Sequence, residues 1–274
     1  MIYAFNTFFK FLKYIKMTYI SSYFELGSQQ PKLDFVDIKL NTDNLLFIDP
    51  RLIEFSETPY SVKMQNCIEA FWGEFIRRVR LKNKREVYSL LSGLKEPRET
   101  RLGYSSSNKG RSVANKLKPK LVEAIRNNKA VQSGVLSHFA DVELFIEDIS
   151  SDRISDITTK IVKSVLIEYT QEQCKVHKIP TKEVVQDDIF NPNTLEWESG
   201  KYRLPVYFDM PILFVPKYIV RPEGNCGRNV SCFYRFAIRN FIYGDPKMLK
   251  DVSPSGKDGE ILIRDVQEQH PISK

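Results

Sequence analysis

Residues 141–180 read DVELFIEDISSDRISDITTKIVKSVLIEYTQEQCKVHKIP. Val142, Leu144 and Ile146 alternate with Glu143, Phe145 and Glu147, so the start of this stretch predicts a strand with apolar residues on both faces, as a central strand has. The chain then leaves through Asp148, Ser150, Ser151 and Asp152. It re-enters regular structure at Ser155-Asp156, residue types that start helices. Ile157, Ile161, Val162, Val165, Leu166 and Tyr169 recur at three- and four-residue intervals and predict a long helix with a broad apolar face, closed off by Pro180. A strand feeding a helix that packs back on a sheet sets the class as mixed α/β.

Working outward, residues 33–40, LDFVDIKL, alternate apolar and polar and predict a strand, and Leu45–Ile48 predicts a second that ends at Asp49-Pro50. Residues 59–80 change to helical spacing, with Met64, Ile68, Phe71, Trp72, Phe75, Ile76 and Val79 inward, Pro59 at the first helical position and Thr58 as cap. Residues 85–92 predict a short helix ended by Gly93. After 180, Glu183–Phe190 reads as a strand, Asn191-Pro192-Asn193 as a turn, and Ser199-Gly200 as the turn of a hairpin. The segments 212–215 and 218–220 continue the strand-like run, and 228–243 predicts a helix carrying Arg228, Arg235 and Arg239. The expected architecture is a basic helical N-terminal half packed on a mixed β-sheet. Its parts are an extension at 1–32, a basic mainly helical part at 33–130, and a part at 131–274 with the acidic turn, the long helix and the β-rich segments, which can form one continuous domain with 33–130.

With 42% hydrophobic and 12% aromatic residues over 274 positions, the chain has enough apolar content for a large core, which excludes a disordered tail. The net charge of +7 hides a division. Residues 77–129 hold 16 Lys and Arg against 4 Glu, a local +12, so the remainder sums to −5. A basic segment of that density fits an anionic partner, nucleic acid first; a solvated helical face is the alternative. Within it, TRLGYSSSNKGRS (100–112) precedes a helix expected over 113–127, and free amides at a helix start suit a phosphate. Lys109 precedes Gly110, so the loop is not a Walker A motif. Lys109, Arg111, Lys116, Lys118 and Lys120 are the candidate phosphate-holding residues.

Cys67, Cys174, Cys226 and Cys232 form no CxxC pair, which favours free thiols in a reducing compartment. Cys174 and His177 make a CxxH without the second pair that structural zinc needs. Lys10, Lys13 and Lys16 interrupt the apolar N-terminus, whose charges follow the apolar part, so neither a membrane span nor a secretory signal is expected. An extension ahead of a start at Met17 is the preferred account. A cytoplasmic protein with no membrane contact follows.

The chemistry concentrates in the opening stretch. Asp141, Glu143, Glu147, Asp148, Asp152 and Asp156 place six carboxylates within sixteen residues. Asp148, Asp152 and Asp156 converge near a strand end and a helix start, a mouth that suits Mg²⁺ and metal-assisted phosphodiester cleavage, with Glu147 and Glu143 as helpers. The alternative is capping: carboxylates at a helix N-terminus stabilise it with no metal, and Lys160, four residues after Asp156, would pair with it on the surface. Glu198-Ser-Gly-Lys201 is one residue too long for the (D/E)xK element of a restriction-nuclease core. His138, just ahead of the acidic strand, is a candidate base or ligand.

Four fragments, Leu46-Phe47-Ile48-Asp49-Pro50, Leu102-Gly103-Tyr104-Ser105, Asp152 to Asp156 with Thr158-Thr159, and Tyr202-x-Leu204-Pro205, together resemble a group of uncharacterised bacterial proteins, some near phage-defence genes. The resemblance covers most of 33–270. It implies a bacterial, cytoplasmic, defence-linked setting and carries over no catalytic residue. Two functions are therefore expected to compete. One is a nucleic-acid-associated protein acting as a Mg²⁺-dependent nuclease. The other is a non-catalytic accessory or interaction module of a defence or toxin complex.

Overall fold

Capping residues set the helix starts where the sequence supplies them. A computed structural model of the protein describes residues 18–27, 32–42, 44–103, 118–119, 121–123, 126, 139 and 151–222. Its helices are Ile20–Tyr23 (α1), Pro50–Glu54 (α2), Pro59–Arg80 (α3), Lys84–Leu91 (α4), Ser151–Ile161 (α5) and Lys163–Val176 (α6). Further helical residues lie at 118–119, 121–123 and 126. The strands are Leu46–Ile48 (β1), Lys182–Asn191 (β2), Glu196–Leu204 (β3), Val206–Tyr207 (β4), Met210–Pro211 (β5) and Val220–Pro222 (β6). The chain divides into compact units Met1–Glu223 and Gly224–Lys274, and every described residue belongs to the first.

The mixed α/β class holds. Helix α3 begins as expected: the Thr58 hydroxyl accepts from the Ser61 amide at 3.2 Å, and Pro59 takes the first position. Its buried stripe is Met64, Cys67, Ile68, Phe71, Trp72, Phe75 and Val79. It packs against α2, α4, α5 and α6, so residues from both sides of position 130 share one core. In α2, the Asp49 carboxylate accepts from the Arg51 amide at 2.9 Å and lies 2.9 Å from Arg221 on β6, so the Asp49-Pro50 pair both starts a helix and ties it to a strand.

Among the described residues the strands pair as three two-stranded antiparallel sheets, β1 with β6, β2 with β3 and β4 with β5. Residues 33–40 do not form a strand there. They make isolated bridges, Phe35 with Pro216 and, through Lys39, with Tyr19. Residues 212–215 are buried but take a different partner at each step: Ile212 donates to Pro205, Leu213 to Glu99 and Phe214 to the Thr170 hydroxyl. Apolar alternation is satisfied by burial alone, and a ladder needs one continuous partner as well. The β2–β3 hairpin turns at 192–195, not at Ser199-Gly200, which sits inside β3 opposite Gln186. Asn191 decides this, because its carboxamide oxygen accepts from the amides of Asn193 and Thr194.

The long helix after the acidic turn is two helices. α5 begins at Ser151, four residues before Ser155, and the chain breaks at Val162 before α6. Ser155 is not the cap: its buried hydroxyl accepts from the Ile48 amide at 2.9 Å and joins α5 to β1. The expected strand at 142–147, the helix at 228–243 and residues 1–17 and 28–31 of the expected N-terminal extension lie outside the described residues; Ile20 and Leu26, within that extension, are buried in the core. No helix among the described residues is long and apolar enough to cross a membrane.

One charge cluster belongs to the scaffold. Glu74 on α3, 7% exposed, accepts from Arg77 at 2.6 and 2.7 Å and from Arg78 at 2.5 Å, and Arg78 reaches on to the Glu86 carbonyl of α4. The hydrogen bond from Arg77 is the main cause that holds the Glu74 carboxyl down at about 2, against burial, with Arg78 adding to it. A carboxyl depressed in the fold contributes stability that is complete above its unfolded value and lost as pH falls through its folded one. Acid titration followed by circular dichroism should therefore show wild-type stability falling between about pH 4.5 and about pH 2, by more than in Glu74→Gln. Equal acid sensitivity would rule the linkage out.

Candidate functional site

Segment 94–103 leaves α4 and runs across the start of α5. Asn44 holds its far end. The Asn44 side chain donates to the carbonyls of Arg101 (3.0 Å) and Lys39 (3.1 Å), its own amide donates to Arg101, and its carbonyl accepts from Gly103. Gly103 has φ +107, and a Cβ placed there would come within 2.8 Å of Asp152 Oδ1, so only glycine lets the segment pass beside the first turn of α5. Three of the four fragments singled out in the sequence, around Ile48, Gly103 and Asp152–Asp156, thus meet at one helix.

On α5 and the start of α6, intervals of three and four residues line up Asp152, Asp156, Lys160 and Lys163 along one flank. The far end of this flank is buried: Lys160 is 4% exposed and Lys163 3%. Lys163 Nζ donates to Glu99 Oε1 at 2.6 Å and to the Asp187 carbonyl at 2.9 Å. That carbonyl is offered by a β-bulge. The register of β2 on β3 shifts between Gln186 and Ile189, leaving Asp187 and Asp188 unpaired, and Asp188 takes φ +53. The bulge aims Asp188 at Lys95, whose ammonium lies 2.8 Å from its carboxylate.

Four lysines, Lys95, Lys118, Lys160 and Lys163, therefore act on two carboxylates, Glu99 and Asp188. Burial raises the Glu99 carboxyl, but the ammonium groups of Lys160 and Lys163 outweigh it and hold it below its ordinary value. Burial pushes Lys160 down; Glu99 and Asp188 oppose the shift, and Lys163 and Lys95 add to it. Burial also lowers Lys118, with repulsion from Lys95 adding and Asp188 opposing. Lys160 makes no hydrogen bond or ion pair among the described residues. Two buried polar atoms nearby in the chain also lack a hydrogen-bond partner among the described residues: Thr100 Oγ1, next to Glu99, and Gln186 Oε1, at the bulge.

The expected pairing of Lys160 with Asp156 on the helix surface is not found, because α5 turns Lys160 into the protein. Of the sequence-predicted residues, Lys118 joins the cluster, and Asp152 and Asp156 lie in the first turns of α5, half-buried and each with an interaction partner. Asp148, Glu147, Glu143, Lys109, Arg111, Lys116, Lys120 and His138 lie outside the described residues. No group of three or more His, Cys, Asp or Glu placed to hold a metal occurs among the described residues. Sequence reasoning missed Lys95, Glu99 and Lys163, took Lys160 for a surface partner of Asp156, and grouped Asp188 with the carboxylates Asp187, Glu196 and Glu198 of the hairpin rather than with the lysines. The available signal was two lysines on the polar flank of an apolar helix, in the register of Asp152 and Asp156.

No curated protein matches the chain, and neither does any solved structure. Residues 25–225 match the model of the family described as Domain of unknown function (DUF8370), a span that contains every residue of the lysine cluster. The chain belongs to the DUF8370 family.

Proposed function

We propose that this protein is nucleic-acid-associated and that the lysine cluster at the α5–α6 junction takes a phosphate. The carrying observation is Lys160, a cation 4% exposed and without a hydrogen bond or ion pair among the described residues, set beside three further lysines and only two carboxylates. Burial disfavours the Lys160 ammonium, and the charges of Glu99 and Asp188 offset only part of that cost. A phosphate oxygen would supply the missing negative charge through charge-assisted hydrogen bonds. Lys95, with a side chain 63% exposed, and the half-buried Lys118 form the outward side of the cluster. In sequence Lys118 sits between Lys116 and Lys120, and Lys109 and Arg111 precede it, so the same basic segment supplies further phosphate contacts.

Fluorescence anisotropy with labelled DNA and RNA oligonucleotides over a salt series tests this. Wild-type affinity should fall steeply with salt. Lys118→Ala should weaken binding to all sequences alike and make the log–log salt slope shallower by about 0.7–0.9, the value of one phosphate contact. Lack of salt-dependent binding by the wild type, or an unchanged slope in Lys118→Ala, would refute the assignment.

A nuclease activity is the second reading, favoured by the placement of Asp152 and Asp156 on the flank that leads to Lys160. A Mg²⁺ ion held there, with Asp148 completing the set, would face a phosphate held by the lysines. Mg²⁺-dependent cleavage that disappears in Asp156→Ala while the fold persists would support it. Binding without cleavage would favour an accessory module working with a protein partner, in the bacterial, defence-linked setting that the fragment resemblance implies.

A further inference from the structure

Next to Lys118 in the chain, Pro119, Val122, Glu123 and Arg126 close a groove against α4. It holds about 500 Å³ and is lined by Lys84, Tyr88, Pro119, Val122, Glu123 and Arg126. Tyr88 is 43% exposed on a helix whose Val87, Leu90 and Leu91 are buried, so its ring stands out of the core and borders the groove. Pro119 and Val122 supply apolar surface, and Lys84 and Arg126 bring positive charge to the same space. An aromatic ring between apolar walls and flanking cations is how proteins hold unpaired bases: the ring stacks on the base and the cations hold the backbone on either side. In duplex DNA the bases are stacked on one another, and a ring has no base face to meet.

We propose that this groove receives an unpaired base of a single-stranded nucleic acid, stacked on Tyr88, with Lys84 and Arg126 beside the adjoining phosphates. Glu123, an acceptor, faces the base edge and favours bases that bear an exocyclic amino group, since a carboxylate takes hydrogen bonds from such groups. Lys118 and Pro119 are neighbours in the chain, so a strand leaving the groove passes at once to the lysine cluster. The inference rests on the nucleic-acid reading above and adds the strandedness of the ligand.

The test compares a single-stranded oligodeoxycytidine with a duplex of mixed sequence, by anisotropy, against wild type, Tyr88→Ala and Tyr88→Phe. Tyr88→Ala should weaken single-strand binding about five- to a hundredfold, as loss of one stacked base does, and leave duplex binding and the circular dichroism spectrum unchanged. Tyr88→Phe should retain wild-type affinity, because the ring does the stacking. Equal losses on single strand and duplex, or none in Tyr88→Ala while the wild type binds, would overturn the base-stacking groove and leave the phosphate cluster standing. Failure of the wild type to bind either ligand would overturn both.

Discussion

Lys163→Met is expected to destabilise the protein by about 3 kcal/mol, the lower part of the range for breaking a buried ion pair. Methionine keeps the length and apolar stem of lysine. It removes the ammonium that lies 2.6 Å from Glu99 and 2.9 Å from the Asp187 carbonyl. What remains is a carboxylate only 17% exposed and a bulge carbonyl without its donor. The cost stays at the low end because Lys160 also stabilises the Glu99 charge. In thermal unfolding the loss should lower Tm by about 6–12 °C, taking 2–4 °C per kcal/mol for a unit of this size. The double variant Lys163→Met/Glu99→Gln should recover part of it, since the orphaned charge is then gone as well. A single variant within about 0.5 kcal/mol of wild type, the range of an ordinary surface change, would show that the pair is not structurally coupled.

Gly93→Ala should cost about 1–3 kcal/mol, the range for overpacking a well-packed site. The added Cβ would fall 2.1 Å from Trp197 Cδ2 and 2.4 Å from Cε2, which no contact tolerates. The indole cannot retreat freely. Its N–H donates to the Leu90 carbonyl at 2.6 Å, and its ring lies against Phe71 and Phe190 at centroid distances of 6.1 and 5.5 Å. The alternative is for the chain at 93 to move, and that chain leads directly to Lys95 and Glu99. Urea unfolding should show the loss, and combining Gly93→Ala with Trp197→Leu should give less than the sum of the two single effects, because the smaller side chain removes the clash. Additive losses, or a neutral Gly93→Ala, would show that the corner yields without consequence.

How much could be read in advance depended on whether the deciding interaction was local. Helix α3 was legible to its first residue because Thr58, Pro59 and the apolar stripe act within a few residues of one another. Strand β1 and the stop at Asp49-Pro50 were legible for the same reason. The start of α5 was misplaced because Ser155 has the chemistry of a cap, and the group it actually satisfies is the Ile48 amide, 107 positions away. The hairpin turn was misplaced because Ser199-Gly200 competes with Asn191, and only the pairing of β2 with β3 shows which governs the register. Lys160 looked like a surface partner for Asp156, because helix spacing gives neighbours along a helix and does not say which flank is covered.

Composition and periodicity were sufficient for the mixed α/β class, the basic character of 77–129 and the apolar faces of α3, α5 and α6, since they act through local propensity and the gain from burying apolar surface. Tertiary structure alone decided that Lys95, Glu99, Lys118, Lys160, Lys163 and Asp188 come together. These residues span almost a hundred positions. A helix break at Val162, a bulge at Asp187-Asp188 and a glycine passage at Gly103 bring them to one place. Charges placed that far apart in a chain leave no periodic trace, because their attraction begins to act only after the core has folded around them.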